Sequence, residues 1–212
     1  MGKETKTTRN ISVTEKIRKM SDTNALLVIT IAVFFLMYIG AVLFMGEGFS
    51  KPQTFFNILN SNAPLIITAC GMSLVMIAGG IDISIGGVAG LVTMSCAVYL
   101  DYHDGSVIGA LGIALGIGLA FGLIQGYLVA YLGIQPFIVT LAGMFFARGL
   151  TTIIHTNPFN VANKAFVDLK NTRVIVPGMG SVNRIGRYVN AYVEVGVIVA
   201  LLVIVVFFVA LR

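Results

Sequence analysis

Charge is what this 212-residue chain has least of: only 11% of its residues are Asp, Glu, Lys or Arg, whereas 57% are hydrophobic. A soluble domain carries about 25% charged residues. Too little polar surface remains to cover a water-facing globule, so the composition points to an integral membrane protein. There is no tryptophan, and there are two histidines and two cysteines. Cys70 and Cys96 each lie inside an apolar run without a spaced partner that would suggest a metal site, and both read as small apolar packers. The net charge of +5 is not a nucleic-acid footprint, because six of the 14 basic residues fall in the first twenty positions, ahead of the first apolar run. Such a cluster marks a cytoplasmic tail under the positive-inside rule. The first run is too long for the core of a cleaved signal peptide, and LFMGEGFS behind it is a poor cleavage site.

What the chain has in abundance is long apolar runs. Crossing about 30 Å of hydrocarbon takes about 20 helical residues. Runs at 25–45, 57–78, 86–100, 107–132, 136–155 and 191–211 predict an all-α, polytopic fold of about six transmembrane helices. Residues 1–24 form a basic amino-terminal segment, and 25–212 form the membrane domain. In the second run Pro64 is placed early, where a helix tolerates it best. The third run is short and is expected to be tilted, partial or protein-buried. Parity from a cytoplasmic amino terminus puts the loops 46–56, 101–106 and 156–190 outside. The glycine joint near residue 80, the GIQ turn and the carboxyl end fall inside. Five basic residues in the 156–190 loop run against this orientation, although charge counting weakens as loops lengthen. Val161, Ala165, Phe166 and Leu169 predict a short surface helix within that loop.

Glycine, at 24 residues, is placed with a pattern. In the fourth run Gly118, Gly122 and Gly126 repeat every four residues, and Gly112 and Gly116 keep the same spacing one step around, as in close helix packing in lipid. The stretch AGGIDISIGG, Ala78 to Gly87, instead breaks the chain between the second and third runs. Gly79 and Gly80 end one helix. Asp82 or Ser84 caps the next, with Gly86 just inside it, and Ile81, Ile83 and Ile85 alternate as in a short extended segment buried on one side. A capped turn explains Asp82 without any transport role; broken helices at depth also flank substrate paths in transporters. Arg148, past the middle of the fifth run, either contacts a polar group or snorkels to the interface. Gln125 and Gln135 suit a hydroxylated solute or an inter-helix hydrogen bond, Glu194 suits the interface, and Met72, Met76, Met94 and Met144 suit gap-filling. Phosphate-binding loops, nucleophile elbows and paired histidines are lacking, so any ATP must be bound by another subunit.

GMSLVMIAGGIDISIGGVAGL, Gly71 to Leu91, resembles the permease subunits of sugar-importing ABC transporters of the ribose, xylose and galactose type. GLIQGYLVAYLGIQPFIVTLAGMFFARGL, Gly122 to Leu150, resembles the next block of that family. TLAGMFFARG is particularly close to galactofuranose-type importers, and VPGMG at 176–180 sits where the family has a glycine-rich outer loop. The resemblance implies a multi-pass protein of the bacterial inner membrane that pairs with a second permease copy or a paralogue. Cytoplasmic ATP-binding subunits would drive it, and a periplasmic sugar-binding protein would feed it. Gly79, Gly80, Asp82, Ser84 and Gly86 take the family's joint positions, and Arg148 takes its arginine. Family members are longer by roughly half, so the resemblance also implies a first half, as a truncated product or a fragment. A secondary carrier or channel without an ATPase, and a non-transporting membrane scaffold, are the alternatives.

Overall fold

A computed structural model describes residues 22–45, 51–182, 186 and 188–212. The basic amino-terminal cluster, the 46–50 part of the first loop, Arg184 and Arg187 lie outside the described residues. In chain order the elements are α1 (Asp22–Met45), α2 (Pro52–Ile77), α3 (Ile85–Tyr102), α4 (Val107–Ala130), α5 (Pro136–Ile154), α6 (Lys164–Asn171), β1 (Arg173–Val182), β2 (Tyr188–Glu194) and α7 (Val195–Ala210).

Five of these helices, α1 to α5, are long and apolar enough to cross a membrane. The sixth expected span is shorter: α7 has 16 residues and rises about 24 Å. It begins at Val195 rather than Ala191 because Tyr188–Glu194 is a strand, paired antiparallel with β1 from Arg173↔Glu194 to Val182↔Tyr188. The hairpin corrects the reading of 156–190 as an irregular loop carrying one surface helix, and it is the β exception in a helical chain. Its register slips between Val176 and Gly180. Pro177, which has no N–H, and Gly178, at φ +80°, occupy that irregularity, where neither harms the ladder. The expected surface helix is present as α6, capped by Asn163, whose Oδ1 accepts from the Phe166 N–H at 3.2 Å.

Helix α2 starts at Pro52, five residues earlier than expected, with a proline in its first turn. Pro64 therefore sits in the helix interior, where its missing N–H leaves the Asn60 carbonyl without a helical partner. At the same level the Asn60 side chain ties α2 to the hairpin: Nδ2 donates to the Tyr192 carbonyl at 3.0 Å, and Oδ1 accepts from the Glu194 N–H at 2.9 Å. Just below, Ala63, Val197 and Ala200 form a buried cluster with Leu59, Ile66, Ile67 and Val193 packed around it.

The second packed group is α3 with α4 and α5. Gly87 is buried in α3; a Cβ built there would stand 2.9 Å from the Met144 carbonyl oxygen of α5, so only glycine lets the two backbones approach this closely. At the other end, Asp101 of α3 holds the approach to α6, its carboxylate accepting from the N–H groups of Ala162 and Asn163 at 2.9–3.0 Å. Phe159 meets the rings of Tyr102 and His155 edgewise there, and those two rings lie tilted against each other. The glycine joint thus parts two groups: α2 packs mainly with α7 and the hairpin, α3 with α4 and α5. No residue of α1 is buried among the described residues.

Candidate functional site

The break in AGGIDISIGG is built from two backbone caps. Gly79 takes φ +79°. Its N–H donates to the Met76 carbonyl at 3.0 Å, and the Gly80 N–H reaches the Val75 carbonyl at 3.0 Å. This double bond pattern closes a helix through a left-handed glycine. On the far side Asp82 supplies the cap: its Oδ1 accepts from the Ser84 N–H at 2.7 Å and from the Ser84 hydroxyl at 2.6 Å. Ser84 makes no capping bond of its own. The expected one-sided burial of the isoleucines is not observed, since Ile81 is 55% exposed while Ser84 is 2% exposed. The buried side instead runs through Ser84, Gly87 and Leu91, the helical period of α3 rather than an extended one.

Ser84 faces Gln125 of α4. The Gln125 Nε2 donates to Ser84 Oγ at 3.1 Å, and Oε1 lies 3.3 Å from the same oxygen. A hydroxyl has one proton, and the short contact to a carboxylate is the stronger claim on it. The chain of donation therefore runs from the Gln125 amide to Ser84 and from Ser84 to Asp82. Thr140 of α5 sits at the same level, its hydroxyl in reach of the Ile81 and Phe137 carbonyls at 3.2 and 3.3 Å. Residues from the joint, α4 and α5, separated by up to 59 positions, thus converge on one polar locus.

Helix lengths set its depth. Helices α3 and α4 have 18 and 24 residues. They are matched at the Tyr99 end, where that side chain crowds Gly105 and Gly109. The joint therefore stops about 9 Å short of the far end of α4. Two clefts open onto it. One, of about 290 Å³, is lined by Val75, Ala78, Asp82, Gln125, Val129 and Thr140 among others. The second, of about 300 Å³, is lined by Asp82, Ser84, Ala89, Gly118, Gly122 and Gln125 among others.

Gly79, Gly80, Asp82, Ser84 and Gln125 are thus brought together. Gly86 is exposed with open space around it. Arg148 is apart: it lies about 12 Å along α5 from Thr140 by helical rise, exposed, and its guanidinium has no partner among the described residues. Gly112, Gly116, Gly118, Gly122 and Gly126 are exposed, and a Cβ at any of them would meet nothing within 4 Å. Gln135 precedes α5 without capping it through its side chain. Thr140 was missed by sequence reasoning; its contact with the Ile81 carbonyl spans 59 positions and leaves no local signal. The pairing of His155 with Tyr102, at 3.3 Å, had no local signal, because the two are 53 residues apart.

Comparison with known proteins gives the family. The pattern of the family described as branched-chain amino acid transport system / permease component matches residues 54–212. The chain is 35% identical over 177 residues to the inner membrane ABC transporter permease protein YjfF of Escherichia coli (strain K12), covering 84% of this chain and 53% of that protein. It is 36% identical over 112 residues to the galactofuranose transporter permease protein YtfT of the same organism, covering 51% of this chain and 31% of the relative. It is 32% identical over 136 residues to the ribose import permease protein RbsC of Escherichia coli (strain K12), covering 63% and 42%. No solved structure matches. The chain spans about half the length of the first of these relatives, and less of the others. With the family pattern running through α2, the glycine joint and every later element, this multi-pass membrane chain belongs to the ABC-transporter permease-component family.

Proposed function

We propose that the chain acts as the membrane-spanning permease subunit of an ATP-driven importer that passes a monosaccharide across the bacterial inner membrane, with its amino terminus in the cytoplasm. The ATP is bound by separate cytoplasmic subunits, and a periplasmic sugar-binding protein delivers the solute. The observation that carries this reading is the polar locus of Asp82, Ser84, Gln125 and Thr140, set about 1.7 turns short of the end of α4 and open to two clefts. A carboxylate at such depth is expensive against lipid and marks a water-lined or protein-covered path. The relatives named for galactofuranose and ribose support a sugar as the solute class. The uncovered glycine face of α4 is where a second permease copy or a paralogue packs, and Arg148 serves at that same interface or at the membrane surface. The pathway residues are Gly79, Gly80, Asp82, Ser84, Gly86 and Gln125.

The test is uptake of radiolabelled ribose, galactose and leucine by cells expressing the chain with the proteins encoded beside it. Sugar uptake that stops when the ATPase is poisoned and survives collapse of the ion gradient is expected. Uptake with the opposite dependence refutes the ATP-driven reading and makes the protein a secondary carrier. Leucine uptake without sugar uptake favours a second reading, which the amino-acid wording of the family description supports. Stable association with a sister permease and no flux of any of them leaves a scaffold.

A further inference from the structure

The two clefts at the glycine joint share an uneven hydrogen-bonding character. Asp82 spends Oδ1 on the Ser84 N–H and hydroxyl, and its Oδ2 has no partner among the described residues. Gln125 spends one amide hydrogen on Ser84, which leaves its Oε1 free once the Ser84 proton is committed to the carboxylate. The Thr140 proton goes to a backbone carbonyl, which leaves that hydroxyl's lone pairs. These three are the polar side chains among the residues lining the first cleft, and Asp82, Ser84 and Gln125 are those lining the second. No Lys, Arg or His lines either. The free side-chain groups are therefore acceptors, with the second amide hydrogen of Gln125 as the exception, and the one full charge is negative.

We propose that this acceptor-rich joint is a charge and donor filter: it takes solutes that present hydroxyl or ammonium donors and refuses anionic ones, such as sugar acids and sugar phosphates. This deepens the sugar-permease reading and rests on it, but its electrostatic core is measurable without any sugar. In a low-dielectric cleft a carboxylate a few ångströms away changes the local concentration of a monovalent ion about tenfold or more. An anionic solute would meet that barrier whichever subunit delivered it, whereas a neutral polyol would find two or three acceptors.

The experiment measures the potential directly. In the full-length chain with Cys70 and Cys96 replaced by alanine, a single cysteine is placed at Val129→Cys in the first cleft or Ala89→Cys in the second. Reaction rates in native membranes are compared for a cationic trimethylammonium-ethyl methanethiosulfonate and its anionic sulfonatoethyl counterpart. The cation-to-anion rate ratio, relative to the ratio for a free thiol in water, is expected to approach about a hundred, since the cation is enriched and the anion depleted about tenfold each. It should fall by about that factor in an Asp82→Asn background, and hold or rise in Gln125→Glu, which adds a second carboxylate. Equal rates for both reagents, a ratio untouched by Asp82→Asn, or cysteines inert to both reagents would each overturn the filter. Failure of sugar uptake in the preceding test, with the ratio intact, overturns the sugar reading and leaves the electronegative cleft standing.

Discussion

Gly87 gives the sharpest stability test, because it and Gly90, three positions on in the same helix, are set in opposite surroundings. A Cβ at Gly87 would stand 2.9 Å from the Met144 carbonyl oxygen, 3.2 Å from its Cα and 3.3 Å from its Cγ, whereas a Cβ at Gly90 would meet nothing within 4 Å. Replacing either glycine by alanine adds the same methyl and the same gain in helix propensity, about 1 kcal/mol. That gain cancels when the two variants are compared. What remains is the steric term: α3 must move off the α5 backbone, and a backbone cannot rotate away as a side chain can. Overpacking of this kind costs about 1–3 kcal/mol, so Gly87→Ala should be less stable than Gly90→Ala by about that amount. The corresponding shift in the unfolding equilibrium is about 5- to 150-fold. Reversible unfolding by sodium dodecyl sulfate in mixed micelles, followed by far-ultraviolet circular dichroism, reads the difference; tryptophan fluorescence does not serve, since the chain has none. Coincident unfolding curves for the two variants would refute the close approach of α3 and α5.

The same assay checks the joint and the α2 anchor. Gly79→Ala should lose about 1–2 kcal/mol, because φ +79° penalises a Cβ even where space is open; Gly79→Asn should lose less. Asn60→Ala should lose about 1–3 kcal/mol by stranding the Tyr192 carbonyl and the Glu194 N–H. Faster hydrogen exchange at the Glu194 amide should accompany that loss, and unchanged exchange would sink the claim that Asn60 anchors the hairpin.

The spans of α3, α4 and α5 were readable to within two residues from run length and flanking polar residues. Both signals are local: hydrocarbon thickness sets the number of apolar residues, and DYHDGS or GIQ ends each run chemically. The cap assignment was half readable. Asp82 and Ser84 are both good capping residues by type, and only their mutual geometry shows that the carboxylate accepts and the serine donates. The hairpin was hidden by a competing signal: Ala191 to Glu194 adjoins an apolar run and was absorbed into it, although the β-branched Val174, Ile175 and Val176 and the aromatic Tyr188 and Tyr192 favour strands. Contacts such as those of Asp101 with Ala162 and Asn163, some sixty residues away, leave no local trace, because a carboxylate at the end of a span reads as an interfacial residue.

The depth of Asp82 ties these observations together. Were α3 as long as α4, the joint would lie level with the 131–135 turn, and its carboxylate would need only solvent. Six fewer residues draw it inward by about 9 Å, where its side chain lines open clefts that carry no Lys, Arg or His. An unpaired charge against hydrocarbon is costly, so the proposed permease reading places water or protein, not lipid, beside this carboxylate. One wall of the clefts carries Gly118, Gly122 and Gly126 of α4, each of them exposed. Small residues there leave room for a second helix surface to approach without filling the cleft. On the permease reading proposed above, the break, the shortened helix and the glycine register form one arrangement: a polar fracture set back from the end of α4 beside an uncovered glycine face.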